Sequence, residues 1–178
     1  MGYPSAADLN ALSDEDFADE VAPLFEGADG FLRRLAAARP FDSDHDLMAK
    51  AREVARTMPE ADQVELLNAH PHLGADPGTV SAASFDEQGY GSPDEAEDPQ
   101  LMLEELAMLN EVYEGRFGFR YVVFVAGRPL STMVPLLEGA MRNDRAAELA
   151  RGLDDVIDIA ADRLGRLRGD YPDRDEGG

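Results

Sequence analysis

Residues 149–167 read LARGLDDVIDIAADRLGRL, and this stretch decides the fold class. Its apolar residues recur every three or four positions, which places them on one face of an α-helix. The charged residues between them suit the opposite, solvent-facing side. We therefore predict a long amphipathic helix that Asn143 caps at its start. Its buried face would comprise Leu149, Leu153, Val156, Ile157, Ala160, Leu164 and Leu167.

Helical patterns also fill most of the chain before that stretch. Ser13 and Ser43 stand where a side-chain oxygen can cap the start of a helix. A shorter helix is predicted from about Glu60 to His70, because the proline that follows disfavours continuation. Another amphipathic helix is predicted across residues 101–113. Its apolar residues, expected on or near the buried side, are Leu101, Leu103, Leu106, Leu109, Val112 and Tyr113.

Only residues 121–125 resemble a strand, and a single short strand has no partner with which to form a sheet. We therefore predict an all-α fold, a single compact domain of about seven to nine helices over residues 1–168 with no significant sheet. Residues 89–99, rich in glycine, proline and acids, are expected to form an exposed loop. Residues 169–178 are expected to be a frayed acidic tail.

The charge balance of the chain is strongly acidic. It carries 37 acidic and 16 basic residues, for a formal net charge of −21. Such a field repels nucleic acids and anionic membrane surfaces, so neither is predicted as a partner. Lys50 is the only lysine, and the acidic residues are spread along the chain. We interpret this pattern as adaptation to a cytoplasm of high salt, where screening quenches self-repulsion. An ordinary acidic protein is the alternative.

The composition also limits the chemistry and the location of the protein. The chain has no cysteine, so it has no disulfide, thiolate nucleophile or cysteine-based metal site. No apolar run approaches the length that crosses a bilayer, and the N-terminus lacks the order of a signal peptide. We therefore expect a cytoplasmic globular protein. Its chemistry would rely on histidine, carboxylates, hydroxyls, arginine or backbone groups.

Two of the three histidines lie in the segment NAHPHLG, residues 68–74. His70 falls at a predicted helix end beside proline and glycine, which suits a restrained imidazole that faces a cleft. Its unperturbed pKa of about 6.5 allows proton exchange near neutrality. The alternatives are a histidine that merely caps the helix and a metal site of His70, His72 and Asp76. We do not predict the metal site, because no second group of ligands completes it.

A second polar cluster is the segment SFDEQ, residues 84–88. On a helix, Ser84 stands next to Glu87 and Gln88 and can present a hydroxyl, a carboxylate and an amide to a small ligand. The same spacing also fits a serine that only caps a helix. Arg163, on the last predicted helix, offers a planar set of donors that suits a carboxylate, unless it pairs with a nearby acid at the surface.

In their order and separation, these motifs resemble the 2-oxo-4-hydroxy-4-carboxy-5-ureidoimidazoline (OHCU) decarboxylase family. The similarity spans nearly the whole chain. It rests on AHPHLG at 69–74, SFDEQ at 84–88 and LNEVYEGRFGF at 109–119. The resemblance implies a compact helical fold, usually a homodimer, that converts OHCU to (S)-allantoin and carbon dioxide without a cofactor.

The resemblance also implies roles for individual residues. His70 matches the family's catalytic histidine and would act as general acid and base, with Glu87 beside it in proton handling. Arg163 is the best match for the substrate-binding arginine, although Arg166 or Arg168 takes its place if the alignment shifts. No metal ligand is implied. The positions that would contact the substrate are Pro71, Ser84, Gln88, Phe119 and Arg163.

Two positions depart from the family's pattern. An acidic residue is expected where His72 stands, so the charge around His70 differs. After Gln88, the usual run with alanine and glycine is replaced by GYG at 89–91 and an acidic loop, which changes the mouth of the predicted pocket. Two rival functions are a noncatalytic helical dimer that binds a ureide or purine-derived ligand, and a metal-dependent hydrolase that uses the two neighbouring histidines and Asp76.

Overall fold

Side-chain caps mark where several helices begin. The computed structural model describes residues 2–76, 78, 88 and 99–169. Ser13 and Ser43 cap helices as predicted, each accepting a hydrogen bond from the backbone N–H three residues on. In this described part the chain forms eight α-helices. They are α1 (Ala6–Ala11), α2 (Asp14–Val21), α3 (Asp29–Ala37), α4 (Asp44–Thr57), α5 (Glu60–Ala69), α6 (Pro99–Phe117), α7 (Met133–Ala140) and α8 (Arg145–Arg168).

No β-strand occurs among the residues that the structure describes, and the predicted all-α fold is confirmed. The strand-like residues 121–125 bond to side chains rather than to another strand. Arg151 donates to the carbonyl oxygen of Val122 at 2.9 Å, and Arg128 donates to that of Phe124 at 2.6 Å. These bonds satisfy backbone groups that a lone strand would leave unpaired.

Helix α8 is the longest helix and packs at the centre of the domain. It contacts α4, α5 and the short 3-10 helix Ala22–Leu24. Its predicted apolar face is buried with the exception of Leu167, which is 48% exposed near the end of the helix. The period of the sequence therefore identified the core-facing side of this helix correctly.

The cap of α8 differs from the prediction by one residue. Asp144, not Asn143, accepts the hydrogen bond from the Ala147 N–H, at 2.8 Å. Asn143 instead donates from its side chain to the Glu148 carboxylate at 2.8 Å. The two residues are adjacent and both suit a cap, so the competing bond to a buried carboxylate decides between them.

The buried side of α6 also differs from the prediction. Leu106 and Tyr113 are buried as expected, but Leu101 and Val112 are 61% and 52% exposed. The core-facing side instead includes the polar residue Asn110. Apolar residues stand on both sides of this helix, so their spacing did not identify the side that faces the core.

Several predicted features lie outside the described residues. They are Ser84, Glu87, the acidic loop apart from Pro99, and the tail beyond Gly169. None of the described helices combines the length and the apolar character needed to cross a membrane. Three helices position the site. His70 follows the end of α5, Arg120 follows the end of α6, and Arg163 lies on the buried face of α8.

Candidate active site

The end of α5 places His70 in the interior of the protein. His70 is the first residue after the helix, and only 3% of its surface is exposed. Arg120, which follows α6, donates to the His70 carbonyl oxygen at 2.6 Å and to that of Asn68 at 3.0 Å. A helix end and a residue distant in sequence therefore fix the backbone of this histidine together.

The hydrogen bonds of the His70 ring define its tautomer. Nδ1 lies 3.0 Å from the carbonyl oxygen of Leu66, one turn back on α5. A carbonyl oxygen can only accept, so Nδ1 carries the proton and Nε2 keeps a lone pair. Nε2 is buried and has no hydrogen-bond partner among the described residues. It is therefore an available acceptor for a proton from a bound ligand.

Burial lowers the pKa of His70 to about 4, because the interior disfavours the charged imidazolium. The hydrogen bond to Leu66 opposes this change. Arg163 and Arg120 lower the pKa further, whereas Glu26 raises it. His70 is therefore neutral near pH 7. A neutral imidazole with an available lone pair acts first as a base and can then return the proton as an acid.

A cavity of about 40 Å³ lies beside His70. Pro71 and Gln88 also line it, and Arg163 brings a positive charge to its wall. Burial raises the pKa of Tyr121 to about 12, so this lining phenol stays neutral. The site thus sets a base and a cation in largely apolar surroundings, where electrostatic contacts are strong. The apolar lining comes from Leu73, Tyr121, Val122, Val123, Val125 and Ile159.

Arg163 reaches the cavity from the inner face of α8 and is 4% exposed. Its Nη1 donates to the carbonyl oxygens of Pro23 and Leu24 at 2.8 and 3.3 Å. Its Nη2 donates to the Glu26 carboxylate at 2.7 Å. The guanidinium is therefore held in one orientation by the turn that follows α2. Its position beside His70 is consistent with the predicted role in substrate binding.

The two other arginines considered for that role point elsewhere. Arg166 pairs with Asp162 at 2.7 Å, and Arg168 pairs with Asp44 at 2.8 Å. Neither is among the residues that line the cavity. Of these three arginines only Arg163 lines the cavity, and its role in substrate binding stays a prediction.

Gln88 lines the cavity and also forms hydrogen bonds with the backbone of the loop that follows His70. Its Oε1 accepts from the Gly74 N–H at 2.8 Å, and its Nε2 donates to the His72 carbonyl oxygen at 3.2 Å. Asn110 on α6 is buried and donates to the Leu73 carbonyl oxygen at 2.9 Å. The sequence did not single out Asn110 for this role, because its partner lies 37 positions away.

The remaining predicted contacts divide into two groups. Ser84 and Glu87 lie outside the described residues. Phe119 is buried and packs against the rings of Tyr113 and Phe117, with centroids 6.0 Å from both. It is not among the cavity's described lining, whereas residues 121–125 that follow it are well represented there. A direct contact between Phe119 and a substrate stays a prediction.

His72 is not among the residues that line this cavity and instead pairs with a carboxylate. Its Nε2 lies 2.5 Å from Glu114 Oε1, and Arg120 Nε lies 3.5 Å from the same oxygen. Glu114 thus supplies, from α6, an acid next to His72, the position at which an acidic residue is expected from the sequence. Asp76 accepts from the Gly78 N–H at 2.9 Å. Within the described ranges, no three or more His, Asp or Glu side chains cluster as metal ligands do.

A buried polar network adjoins residues 121–125, which form one wall of the cavity, and no sequence pattern indicated its geometry. Glu148 is fully buried and accepts from Tyr113 Oη at 2.7 Å, from Asn143 Nδ2 at 2.8 Å and from Arg151 at 2.8 and 2.9 Å. These bonds outweigh burial and lower the pKa of Glu148. Because Arg151 also holds the Val122 carbonyl oxygen, the network supports the extended wall of the cavity.

Fold and cavity together define an all-helical protein with one buried, neutral histidine beside an arginine. The sequence profile of OHCU decarboxylase matches residues 10–165. The 2-oxo-4-hydroxy-4-carboxy-5-ureidoimidazoline decarboxylase of Haloferax volcanii is 30% identical over 156 residues, which cover 88% of this chain and 91% of that protein. The chain belongs to the OHCU decarboxylase family.

Other relatives differ in length or are more distant. The uric acid degradation bifunctional protein of Bacillus subtilis is 32% identical over 160 residues, 88% of this chain. The chain spans only 31% of that longer protein. A solved OHCU decarboxylase, crystallised in the presence of (S)-allantoin, superposes with a TM-score of 0.67 at 22% identity. The superposition covers 85% of this chain and 98% of that one, so the two share a fold.

Proposed function

We propose that this chain, as a single domain over residues 1–168, acts in the cytoplasm as an OHCU decarboxylase. It would convert OHCU to (S)-allantoin and carbon dioxide in urate degradation without a cofactor. Family membership supports the reaction. The observation that carries the proposal is the neutral, buried His70, whose Nε2 has no hydrogen-bond partner in the described part of the chain, in a cavity that Arg163 also lines.

The chemistry of the substrate makes a cofactor unnecessary. OHCU carries a carboxylate on a ring carbon that also bears a hydroxyl and adjoins a C=N bond. When the bond from that carbon to the carboxylate breaks, carbon dioxide leaves and the electron pair forms a C=C bond with the neighbouring ring carbon. The electrons of the C=N bond move to its nitrogen, which takes up a proton from solvent. Pyridoxal phosphate and thiamine pyrophosphate supply such an electron sink in other decarboxylases. Here the substrate contains its own.

The protein's task is then to hold the substrate and to move protons. His70 would accept the hydroxyl proton at Nε2 and return a proton to one face of the ring. Arg163 would bind an anionic or carbonyl oxygen through its guanidinium. Glu87 would orient or relay protons, while Ser84 and Gln88 fix the ureido and ring groups. Proton delivery from one side explains why the product would have a single handedness.

Chiral analysis of allantoin formed from freshly generated OHCU tests this function. OHCU also decays without a catalyst to racemic allantoin, so handedness is more informative than amount. The native protein should give an excess of the S form, which His70→Ala should abolish while keeping its fold. Positioned proton transfer is worth about 10²–10⁴-fold in rate. His45→Ala, an exposed histidine on α4, is the matched control.

Two results would contradict the assignment. A racemate from the native protein, together with binding of a ureide, would favour the noncatalytic binding protein. Near-native turnover by His70→Ala would leave the reaction in place but remove His70 as its acid and base.

We also propose that the chain forms a homodimer through α6. Leu101, Met108 and Val112 lie along one side of this helix and are 61%, 59% and 52% exposed. An exposed apolar stripe of this kind is typical of a protein–protein contact. A second copy of the chain would cover the stripe by pairing the two α6 helices.

Sedimentation of the purified protein tests the dimer. The native chain should sediment as a dimer, and the double variant Met108→Glu, Val112→Glu should sediment as a monomer. Leu167→Glu places the same charge on another exposed apolar residue, at the end of α8, and should remain dimeric. A monomeric native protein, or a dimer that survives the double substitution, would overturn this interface.

A further inference from the structure

Glu26 has a backbone conformation that a glutamate rarely adopts. It follows the 3-10 helix Ala22–Leu24 and has a φ of 55°, in the left-handed region. A side chain other than glycine disfavours this region, so the protein retains a local strain here. Glycine would fit the turn without that cost. Contacts of the glutamate side chain can offset this cost.

The Glu26 side chain meets Arg163, which lies 137 positions away in the sequence. The Glu26 Oε1 accepts from Arg163 Nη2 at 2.7 Å, and the side chains are 17% and 4% exposed. The carbonyl oxygens of Pro23 and Leu24, from the same turn, accept from Nη1. The carbonyl oxygens of the turn and the Glu26 carboxylate thus bind both terminal nitrogens of the Arg163 guanidinium. These bonds fix the plane of the group.

We infer that Glu26 is a positioning residue that orients the Arg163 guanidinium for the substrate in the cavity beside His70. This inference rests on the proposed decarboxylase function. An arginine in an apolar wall serves a substrate best when its guanidinium is already held in one orientation, because reorientation in the bound state lowers the rate. The strained turn provides that fixed orientation. The left-handed backbone conformation of Glu26 is then the cost of placing its carboxylate beside Arg163.

Glu26 also affects the proton affinity of His70, and this effect offers a readout that a purely structural role would not move. Among the described residues, the charged groups that act on His70 are Arg163 and Arg120, which lower its pKa, and Glu26, which raises it. Burial sets the main direction and the Leu66 hydrogen bond opposes it. Removing the negative charge of Glu26 should therefore lower the pKa of His70 further and move the acid limb of kcat/KM to lower pH.

The test compares Glu26→Gln and Glu26→Asp with the native protein. Glutamine keeps the length and an accepting oxygen but loses the charge. Aspartate keeps the charge and tolerates a left-handed backbone better than glutamate, but it is too short to reach Arg163. Both variants should fold, and both should lose about tenfold in kcat for (S)-allantoin formation. Only Glu26→Gln should also shift the acid limb strongly.

The matched control is Asp44→Asn. Asp44 holds Arg168, also on α8, by two bonds of 2.8 Å, but that pair ties α8 to α4 away from the cavity. This variant should keep native kcat and pH profile. A loss of kcat in Asp44→Asn equal to that in Glu26→Gln would overturn the inference, because it would show a general effect on α8.

A double variant separates action through Arg163 from any other action. In an Arg163→Met background, Glu26→Gln should change kcat by less than about twofold, because the group that it positions is absent. A further tenfold loss there would overturn the inference, as would native kcat and pH profile in a folded Glu26→Gln protein. If the native protein itself makes no excess of (S)-allantoin, the proposed function fails instead, and the two failures are thus distinguishable.

Discussion

Arg120 donates from Nη1 to the carbonyl oxygen of His70 at 2.6 Å, so a residue beyond α6 holds the backbone of a residue at the end of α5. The backbone N–H of Arg120 in turn donates to the side chain of Asn68 at 2.9 Å. In both bonds Arg120 is the donor, and together they join the two segments that frame one side of the cavity. The backbone position of His70 therefore depends on Arg120, although the Arg120 side chain makes no hydrogen bond to the imidazole ring itself.

Arg120→Met should lower kcat with little change in KM. The substitution keeps much of the side-chain volume but removes the bonds to the backbone of residues 68–70, so the imidazole is less well placed. A small misplacement of a reacting group can cost up to about 10²-fold, and we expect roughly a tenfold loss. Steady-state kinetics on folded protein measure it. Arg116→Met, an exposed arginine on the same helix end, is the control and should retain native kcat.

The depressed pKa of His70 should make the fold less stable in mild acid. In the unfolded chain the imidazole takes up a proton below about pH 6.5, whereas in the folded protein it stays neutral down to its pKa of about 4. Stability is therefore lost as the pH falls from 6.5 towards 4. At pH 5 the loss from this group is about 2 kcal/mol.

Urea unfolding at pH 7 and pH 5 measures this loss. His70→Asn retains a donor for the Leu66 carbonyl but does not titrate, so its stability should change less between the two pH values. The difference between native protein and variant isolates His70 from all other acids and bases. Equal pH dependence of the two proteins would show that His70 is not held neutral by burial.

Glu148→Ala should destabilise the fold strongly. It removes a fully buried carboxylate and leaves Tyr113, Asn143 and Arg151 without their shared acceptor. Loss of one partner from such a buried pair costs about 3 kcal/mol or more. Thermal and urea unfolding measure it. Asp158→Ala breaks a half-exposed pair with Arg52 and should cost under about 1 kcal/mol. A similar cost for both variants would contradict the role given to the buried network.

Salt should stabilise the protein and speed its reaction. The negative charges of the protein, −21 in total, repel one another and would repel the carboxylate-bearing substrate proposed above. Raising KCl from 0.1 to 1 M shortens the screening length from about 10 Å to about 3 Å. The melting temperature and kcat/KM should both rise over this range. A melting temperature that does not respond to salt would favour the ordinary acidic protein over the high-salt interpretation.

A charge-reduced variant provides the matched comparison for that series. Four exposed glutamates on α4, α6 and α7 can be replaced by glutamine without breaking a described side-chain bond. The variant should melt higher than the native protein at low salt and respond less to added KCl. The four positions are Glu53, Glu105, Glu111 and Glu138.

The helices were predictable because their signals are local. Caps such as Ser13 and Ser43 act on backbone groups three residues away, and the proline after His70 ends α5 within one residue. The side of α6 that is buried was not predictable, because apolar residues stand on both the buried and the exposed side of the helix. There the packing partners decide, and they come from other parts of the chain.

The site divides in the same way. His70 and Gln88 belong to short motifs, so the sequence pointed to them before their contacts were known. The pairing of Glu26 with Arg163 joins residues 137 positions apart, and that of Tyr113 with Glu148 joins residues 35 apart. The periodicity of the sequence does not predict such long-range contacts, since they depend on how the helices pack.

The wall formed by residues 121–125 has an evolutionary consequence. Its carbonyl oxygens are held by Arg128 and Arg151 instead of a neighbouring strand. A substitution at these positions therefore disrupts no ladder of strand pairing. Four of the five residues line the cavity, so such a change would alter the shape of the cavity while the pairing of the helices stays as it is.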